Sequence, residues 1–233
     1  MPLIRIFDVE TTGIDPKDHR VLEMAAYDLD TDKNTIARVG AQLVLPGRDI
    51  PPEASAIHHI VQADLEDAVP FDQAWAQFTQ GAPAVFAAHN CEFEQGYLEA
   101  PAGTRWICTL KCSLRAWPDA PAYGNQVLRY YHKFDEYKGF DRTLASRAHR
   151  AEPDAYVTAY LLHKLLTEHS IEELIKWTNE PKAYPTIAFG KHRGSRWADI
   201  PKDYLEWMLR QDGMDPDAQH CAKIELDRRA KLG

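Results

Sequence analysis

The chain has 233 residues and a formal net charge of −8 at pH 7, and 45% of its residues are hydrophobic. This length and composition exclude a disordered chain and fit one globular domain with a substantial core, with or without a small second domain. No segment approaches the roughly 20 consecutive apolar residues of a membrane-spanning helix, and no basic region followed by an apolar leader opens the chain, so we expect a cytoplasmic protein with no membrane partner.

The first half of the chain predicts a strand hairpin followed by alternating helices and strands. Leu3 to Val9 is typical of a buried strand, and residues 21–29 and 36–45 are strand-like with a polar turn between them. The other predicted elements are a helix over 71–78, strands at 84–88 and 105–109, and a helix over 154–168. Together they predict an α/β fold with a mixed five-stranded sheet flanked by helices.

The C-terminal part predicts a small separate domain. Residues 178–185 are polar and contain two prolines, which is typical of a linker. We therefore divide the chain into a domain at 1–177 and a linker with a small C-terminal domain at 178–233. Four apolar residues in this second part have helical spacing and are expected to be core: Tyr204, Leu205, Met208 and Leu209.

The charge is unevenly distributed along the chain. The segment from residue 181 onward holds ten of the 27 Lys and Arg residues but only eight of the 35 Asp and Glu residues. The acidic excess belongs to the N-terminal part, where bound cations would cancel some of it. A nucleic-acid partner stays compatible with this sequence, because binding a polyanion requires local basic surface rather than a basic total.

Two acidic residues, Asp8 and Glu10, lie at the end of the first predicted strand. Residues i and i+2 of a strand point to the same face, so these carboxylates project side by side. Carboxylates held this close raise each other's pKa unless a cation lies between them. The pair is therefore typical of a divalent-metal site, and the alternative is a strand end whose acids merely face water.

Two further segments place acids beside histidines at the junctions of predicted elements. Residues 89–94 (His-Asn-Cys-Glu-Phe-Glu) follow the strand at 84–88, and residues 149–155 (His-Arg-Ala-Glu-Pro-Asp-Ala) run into the helix over 154–168. A mixed sheet gathers side chains from such junctions into one cleft.

Three motifs in this order, at 7–13 (Phe-Asp-Val-Glu-Thr-Thr-Gly), 89–93 and 149–155, together with Ala-Ile-His at 56–58, resemble the DEDDh 3′-to-5′ exonuclease family, which is DnaQ-like. The resemblance implies a ribonuclease H-like fold and a two-metal-ion phosphodiesterase that uses Mg²⁺ or Mn²⁺, with two ions per active site. Segments 106–109, 115–118 and 189–194 resemble the exodeoxyribonuclease X group of this family, the last of them its small C-terminal domain.

Position by position, the resemblance implies that Asp8, Glu10 and Asp154 are three of the four metal-binding acids and that His149 is the general base. A neutral histidine can accept a proton from the attacking water at physiological pH. The fourth acid position, normally Asp, is Glu94 here; its extra methylene requires a different rotamer to reach a cation. Glu92, on another side of the predicted helix, is the weaker substitute.

The resemblance also implies a set of residues that contact the terminal nucleotide: Thr11, Thr12, Ile14, His58, His89, Asn90 and Phe93. Ile14 has ordinary packing as an alternative, Asn90 has a helix cap, and Phe93 has a place in the core. In the C-terminal part, Lys191, Arg193 and Arg196 alternate with aromatic residues. Such a pattern suits a nucleic-acid contact, and it equally suits a solvated basic surface over packed aromatic rings.

The sequence thus predicts a metal-dependent 3′-to-5′ exonuclease that acts on 3′ ends of single-stranded or duplex DNA and releases 5′-mononucleotides, with a role in DNA repair or recombination. An exoribonuclease of the same superfamily, acting on RNA, is one alternative. A non-catalytic nucleic-acid-binding or polymerase-associated module, in which Glu94 marks loss of the metal site, is another. The enzyme is favoured because nothing in folding requires Asp8, Glu10, Asp154 and His149 together.

Overall fold

The apolar N-terminal segments form the centre of one sheet. The computed structural model describes residues 3–232, and its first three strands, β1 (Leu3–Thr11), β2 (Val21–Asp30) and β3 (Thr35–Leu45), pair as an antiparallel meander. The strands β4 (Val69–Pro70), β5 (Val85–Ala88) and β6 (Arg105–Cys108) pair in parallel with β3, β1 and β5 respectively.

The strand order is β4-β3-β2-β1-β5-β6. The predicted mixed sheet flanked by helices is confirmed, and its five predicted strands are all present. The structure adds a sixth strand, β4, which spans only Val69–Pro70. A pair of residues carries no alternating pattern, so this strand could not be read from the sequence.

Ten helices are found among the described residues: α1 (Pro52–His58), α2 (Phe71–Thr79), α3 (Cys91–Tyr97), α4 (Thr109–Ala116), α5 (Asn125–Tyr131), α6 (Arg142–Ala145), α7 (Ala151–Leu166), α8 (Ile171–Thr178), α9 (Lys202–Leu209) and α10 (Pro216–Leu232). Short 3₁₀ helices cover Gln62–Leu65, Phe134–Glu136, Gly190–His192 and Trp197–Asp199. None of the helices in this part of the chain combines the length and apolar character needed to cross a bilayer.

The two faces of β1 are both buried, and this decides where its acids lie. Ile4 and Ile6 belong to the core cluster that includes the apolar face of α7, whereas Phe7 and Val9 belong to the cluster on the other face, beside α2 and α3. Since side chains alternate along a strand, Asp8 continues the row of Ile4 and Ile6. The acids at the end of β1 therefore face the helix that carries Asp154.

A separate hydrophobic core lies in the C-terminal part and draws its buried residues from positions 187–222. This core accords with the division of the chain proposed from the sequence. Leu205 and Met208 are fully buried in it, as predicted, and Tyr204 packs against it. The prediction for Leu209 was wrong, because this residue is 39% exposed. Leu209 ends a short helix whose buried stripe faces α10, and it lies one position round from that stripe.

Candidate active site

Three carboxylates converge at the end of β1. Asp8 and Glu10 come from the strand and Asp154 from the first turn of α7, and their oxygens lie within 4.8 Å of one another. We call these three residues the acid cluster. The side chains are partly buried, so water screens their mutual repulsion poorly. The structure thus brings together three of the four acids that the sequence predicted.

The electrostatics of the acid cluster are those of a cation site. Burial raises the pKa of Asp8 well above its ordinary range, and the charges of Asp154 and Glu10 raise it further. Burial, followed by the charge of Asp154, raises the pKa of Glu10 to about 8, and burial also raises the pKa of Asp154. Without a positive charge between them, these carboxyls hold protons near neutral pH. Carboxylate oxygens are the ligands that Mg²⁺ and Mn²⁺ prefer, so the donor set fits the predicted ions.

His149 lies immediately before α7 in an unusual backbone conformation. Its φ angle is +62°, in the left-handed region, and its backbone N–H donates to Oδ2 of Asp154 at 2.8 Å. Such a conformation costs on the order of 1–3 kcal/mol for a residue other than glycine and persists where its surroundings hold it. The imidazole is exposed at the mouth of the site, where it can meet a water molecule or a substrate.

A cleft of about 320 Å³ joins the acid cluster to the second predicted motif. It is lined by Asp8, His89, Asn90, Phe93, Glu94, Asn125, His149 and Asp154. Residues from β1, from the start of α3 and from the start of α7 therefore share one cavity. Seven of the eight lining residues were predicted as site residues from the sequence; Asn125 was not.

Glu94 is buried in the first turn of α3 and faces this cleft. Its oxygens lie outside the close set formed by the acid cluster. Burial raises its pKa to about 8, and its Oε2 atom has no hydrogen-bond partner among the described residues. A buried carboxylate oxygen without a partner is costly unless a ligand satisfies it. Glu92, by contrast, forms an ion pair with Lys111 at 2.7 Å.

Three residues predicted to contact the terminal nucleotide line the wall of the cleft. His89 uses both ring nitrogens within the protein, Nδ1 with Thr109 Oγ1 at 2.9 Å and Nε2 with the Tyr123 carbonyl at 2.8 Å. Burial lowers its pKa to about 4, so the ring is neutral at physiological pH. Asn90 is exposed and its side chain makes no capping bond, although it precedes α3. Phe93 is half-buried, with its ring 5.1 Å from that of Tyr97.

The other four predicted nucleotide contacts do not line this cleft. Thr11 and Thr12 are buried, and their hydroxyls bond to the Gly13 carbonyl at 2.6 Å and to the Arg20 N–H at 3.0 Å. His58 is buried at the end of α1, and its Nε2 atom has no hydrogen-bond partner among the described residues. Ile14 is 83% exposed, which excludes the packing interpretation and leaves an apolar side chain in solvent.

Sequence reasoning missed Asn125 at the start of α5. Its Nδ2 atom donates to the Asp154 carbonyl at 3.0 Å and to Thr158 Oγ1 at 2.9 Å, which ties α5 to the first turns of α7. Its Oδ1 atom is buried without a partner among the described residues. A single Asn in a loop-to-helix segment gives no signal of this role, because the contact depends on tertiary structure.

Sequence reasoning also missed a buried acid on β2. Glu23 is directly opposite Glu10 in the antiparallel pairing, so both side chains lie on the same face of the sheet. Glu23 is 5% exposed, and its charge contributes to the raised pKa of every member of the acid cluster. The signal was the register of β1 against β2, which the sequence alone did not provide.

The three basic residues predicted near the C-terminus differ in their surroundings. The Lys191 Nζ atom lies 5.0 Å from the centre of the Tyr204 ring, a cation–π contact. Arg193 is exposed. Arg196 forms an ion pair with Asp119 at 3.1 Å, and both side chains are 72% exposed. Lys191 and Arg193 are therefore the two that present charge next to an aromatic ring or to solvent.

Comparisons with known proteins agree with this geometry. A family model described as Exonuclease matches residues 6–162, a range that contains the acid cluster, His149 and Glu94. The chain is 30% identical to Exodeoxyribonuclease 10 of Escherichia coli (strain K12), over 97% of this chain and 99% of that protein. The chain belongs to the exonuclease family.

Two more members of the exonuclease family show how far the likeness extends. The DNA polymerase III subunit epsilon of Treponema pallidum is 29% identical over 70% of this chain and 76% of its own length. A solved structure described as Exonuclease X in complex with 5′ overhanging duplex DNA superposes with a TM-score of 0.62 at 29% identity. That match covers 76% of this chain and 99% of the solved chain. The predicted DnaQ-like family and its ribonuclease H-like fold are confirmed.

Proposed function

We propose that this protein is a 3′-to-5′ exodeoxyribonuclease that hydrolyses the terminal phosphodiester bond of DNA and releases 5′-mononucleotides. The observation that carries the proposal is the convergence of the acid cluster and His149 on one cleft. The names of two relatives support it: one is an exodeoxyribonuclease, and the other is an exonuclease solved with duplex DNA.

Asp8, Glu10 and Asp154 would hold the divalent cations, and Glu94 would complete the ligand set from the other side of the cleft. When bound, two Mg²⁺ or Mn²⁺ ions activate water and stabilise the charge on the leaving oxygen. The unpartnered Glu94 oxygen supports its role, because a buried carboxylate without a partner gains most from a cation. The longer Glu side chain at this position accords with its place outside the close set.

His149 is the proposed general base. Its exposed ring can take a proton from the attacking water and release it to solvent. Because its backbone N–H bonds to the Asp154 carboxylate, the base and a metal ligand share one short segment of chain. His89 cannot serve as the base, since both of its ring nitrogens are engaged within the protein.

The nucleotide contacts and the basic residues are also proposals. Phe93 and Asn90 line the cleft and would meet the terminal nucleotide, with the exposed Ile14 nearby in sequence to the acid pair. Lys191 and Arg193 would bind phosphates of the same DNA strand from the C-terminal part. A role in repair or recombination and a cytoplasmic location rest on the resemblance and the composition.

The deciding experiment uses 5′-labelled single-stranded DNA, duplex DNA and RNA, each with Mg²⁺, Mn²⁺ or a chelator. We expect a ladder that shortens from the 3′ end of DNA with either metal and no shortening with the chelator. Asp8→Asn, which removes one ligand charge at nearly constant volume, is the control for contaminating nucleases. Faster shortening of RNA would favour the exoribonuclease, and binding without shortening would favour the non-catalytic module.

A further inference from the structure

Glu23 lies beside the acid cluster but its oxygens are already engaged. The Oε1 atom accepts a bond from Arg150 Nη2 at 2.6 Å, and Oε2 accepts from Arg150 Nε and from the Ala151 backbone N–H, both at 2.9 Å. A carboxylate with a bidentate guanidinium partner and a backbone donor has few lone pairs left for a metal. Glu23 is accordingly absent from the close set of acids.

The partners of Glu23 fix the start of α7. Arg150 is the residue before the first helical position and Ala151 is that first position, so one buried carboxylate on β2 holds both. On the other side of Arg150, the backbone N–H of His149 is held by Asp154. The left-handed turn at His149 is therefore secured from two directions, by β2 and by α7 itself. This is the over-determined setting in which a strained residue persists.

We propose that Glu23 and Arg150 form a positioning pair that sets the location of His149 relative to the acid cluster, and that Glu23 itself binds no metal. The pair connects the sheet that carries Asp8 and Glu10 to the helix that carries Asp154. It rests on the proposed function for its consequence in catalysis, and on the geometry above for its consequence in structure. The guanidinium also offsets the charge of Glu23, so that a further buried acid can lie next to the cluster.

A matched control pair lies at the other end of the same two strands. Arg5 on β1 and Asp28 on β2 are cross-strand partners joined by two bonds of 2.7 Å, and both side chains are largely buried. Asp28→Asn weakens this pair without touching the active site. Comparison with Glu23→Gln separates a positioning effect from a general loss of stability, since both variants remove one charge of a buried bidentate pair.

The experiment compares Glu23→Gln, Arg150→Lys and Asp28→Asn in three measurements. Steady-state kinetics on single-stranded DNA should show kcat about tenfold to a hundredfold lower in Glu23→Gln and Arg150→Lys, with KM nearly unchanged, because the catalytic group is misplaced. Lys keeps the charge but not the planar fork, so it should not rescue. Asp28→Asn should keep the kcat of the wild type. The rise in melting temperature with Mg²⁺ should persist in all three variants.

Amide hydrogen exchange supplies a measurement that does not depend on activity. The His149 and Ala151 amides should exchange at least about tenfold faster in Glu23→Gln than in the wild type, and at an unchanged rate in Asp28→Asn. An unchanged rate at both amides in Glu23→Gln would overturn the positioning pair even in a protein that cleaves no DNA. Loss of the Mg²⁺ effect in Glu23→Gln would overturn it by making Glu23 a ligand. A wild type that never shortens DNA refutes the proposed function alone.

Discussion

The backbone N–H of His149 donates to the Asp154 carboxylate at 2.8 Å, so the proposed base and a proposed metal ligand move as one unit. His149→Asn removes the imidazole but keeps this bond and tolerates the left-handed φ. We expect kcat to fall about 100-fold to 10,000-fold, with DNA binding and Mg²⁺ binding retained. His163→Asn, on the far end of α7, is the control and should keep full activity. Equal turnover in His149→Asn and the wild type would end the assignment.

Divalent cations should stabilise the protein through the acid cluster. At Mg²⁺ concentrations about 100-fold above Kd, binding to the folded state contributes about 2.7 kcal/mol, which corresponds to roughly 5–10 °C in Tm. Asp8→Asn should abolish most of this rise and should itself raise the metal-free Tm, since one repulsive charge is gone. Thermal denaturation with Mg²⁺ or chelator measures both effects. A wild type whose Tm ignores Mg²⁺ and Mn²⁺ contradicts the site.

The metal-free protein should lose stability as the pH rises toward 8. The pKa of Glu10 is raised from 4.5 to about 8 in the folded state, so between these values the folded chain holds a proton that the unfolded chain has released. The free energy of unfolding therefore decreases as pH rises through this window. The depressed pKa of His89 has the opposite effect below about pH 6.5, so we compare pH 6.5 with pH 8.

Denaturant unfolding in chelator measures this slope. Glu10→Gln cannot titrate and should show a shallower decrease than the wild type. Saturating Mg²⁺ should flatten the slope of the wild type, because a bound cation keeps the cluster ionised at both pH values. Identical slopes for Glu10→Gln and the wild type in chelator would show that Glu10 is not the titrating group.

Glu94 should be required for turnover if it completes the ligand set. Glu94→Ala should reduce kcat by about 100-fold or more, whereas Glu94→Asp, which restores the family's usual residue, should keep much of the activity. Glu92→Ala is the matched control, because Glu92 lies on the same helix in an ion pair with Lys111 outside the cleft. Nuclease assays at saturating Mg²⁺ decide the matter. Full activity in Glu94→Ala would remove Glu94 from the ligand set.

The C-terminal basic residues should contribute to DNA affinity but not to the chemical step. The double substitution Lys191→Ala and Arg193→Ala should weaken binding of single-stranded DNA and lower the salt dependence of log K by about one to two phosphate contacts. Lys223→Ala, an exposed lysine on α10, is the control. Fluorescence anisotropy at several salt concentrations measures the slopes. An unchanged slope would assign Lys191 and Arg193 to ordinary solvated surface.

The acid cluster could be predicted because local rules place each of its members. Strand alternation put Asp8 and Glu10 on one face, and the first turn of a predicted helix held Asp154. The same rules failed for Glu23, which looks like an isolated polar residue within an apolar strand. Its role depends on strand register and on Arg150, which lies 127 residues away. Local patterns carry no information about such a distant partner.

The limits of the fold prediction have similar causes. The long strands and α7 were predicted within a few residues, since each carries a sustained apolar pattern. The left-handed turn at His149 was not predicted, because histidine has no strong preference for that conformation and the bonds that hold it come from Asp154 and from β2 through Glu23.

Thr178 determines how short an independently folding nuclease fragment can be. Its hydroxyl accepts a bond from the Cys108 backbone N–H at 2.8 Å, and its carbonyl accepts from Lys111 Nζ at 3.0 Å. Truncation after residue 177 would strand a buried amide at the end of β6, a loss of about 1–3 kcal/mol. Arg115 also donates to the Pro181 carbonyl at 2.8 Å. Expression of the nuclease part by itself should therefore include residues through at least Pro181.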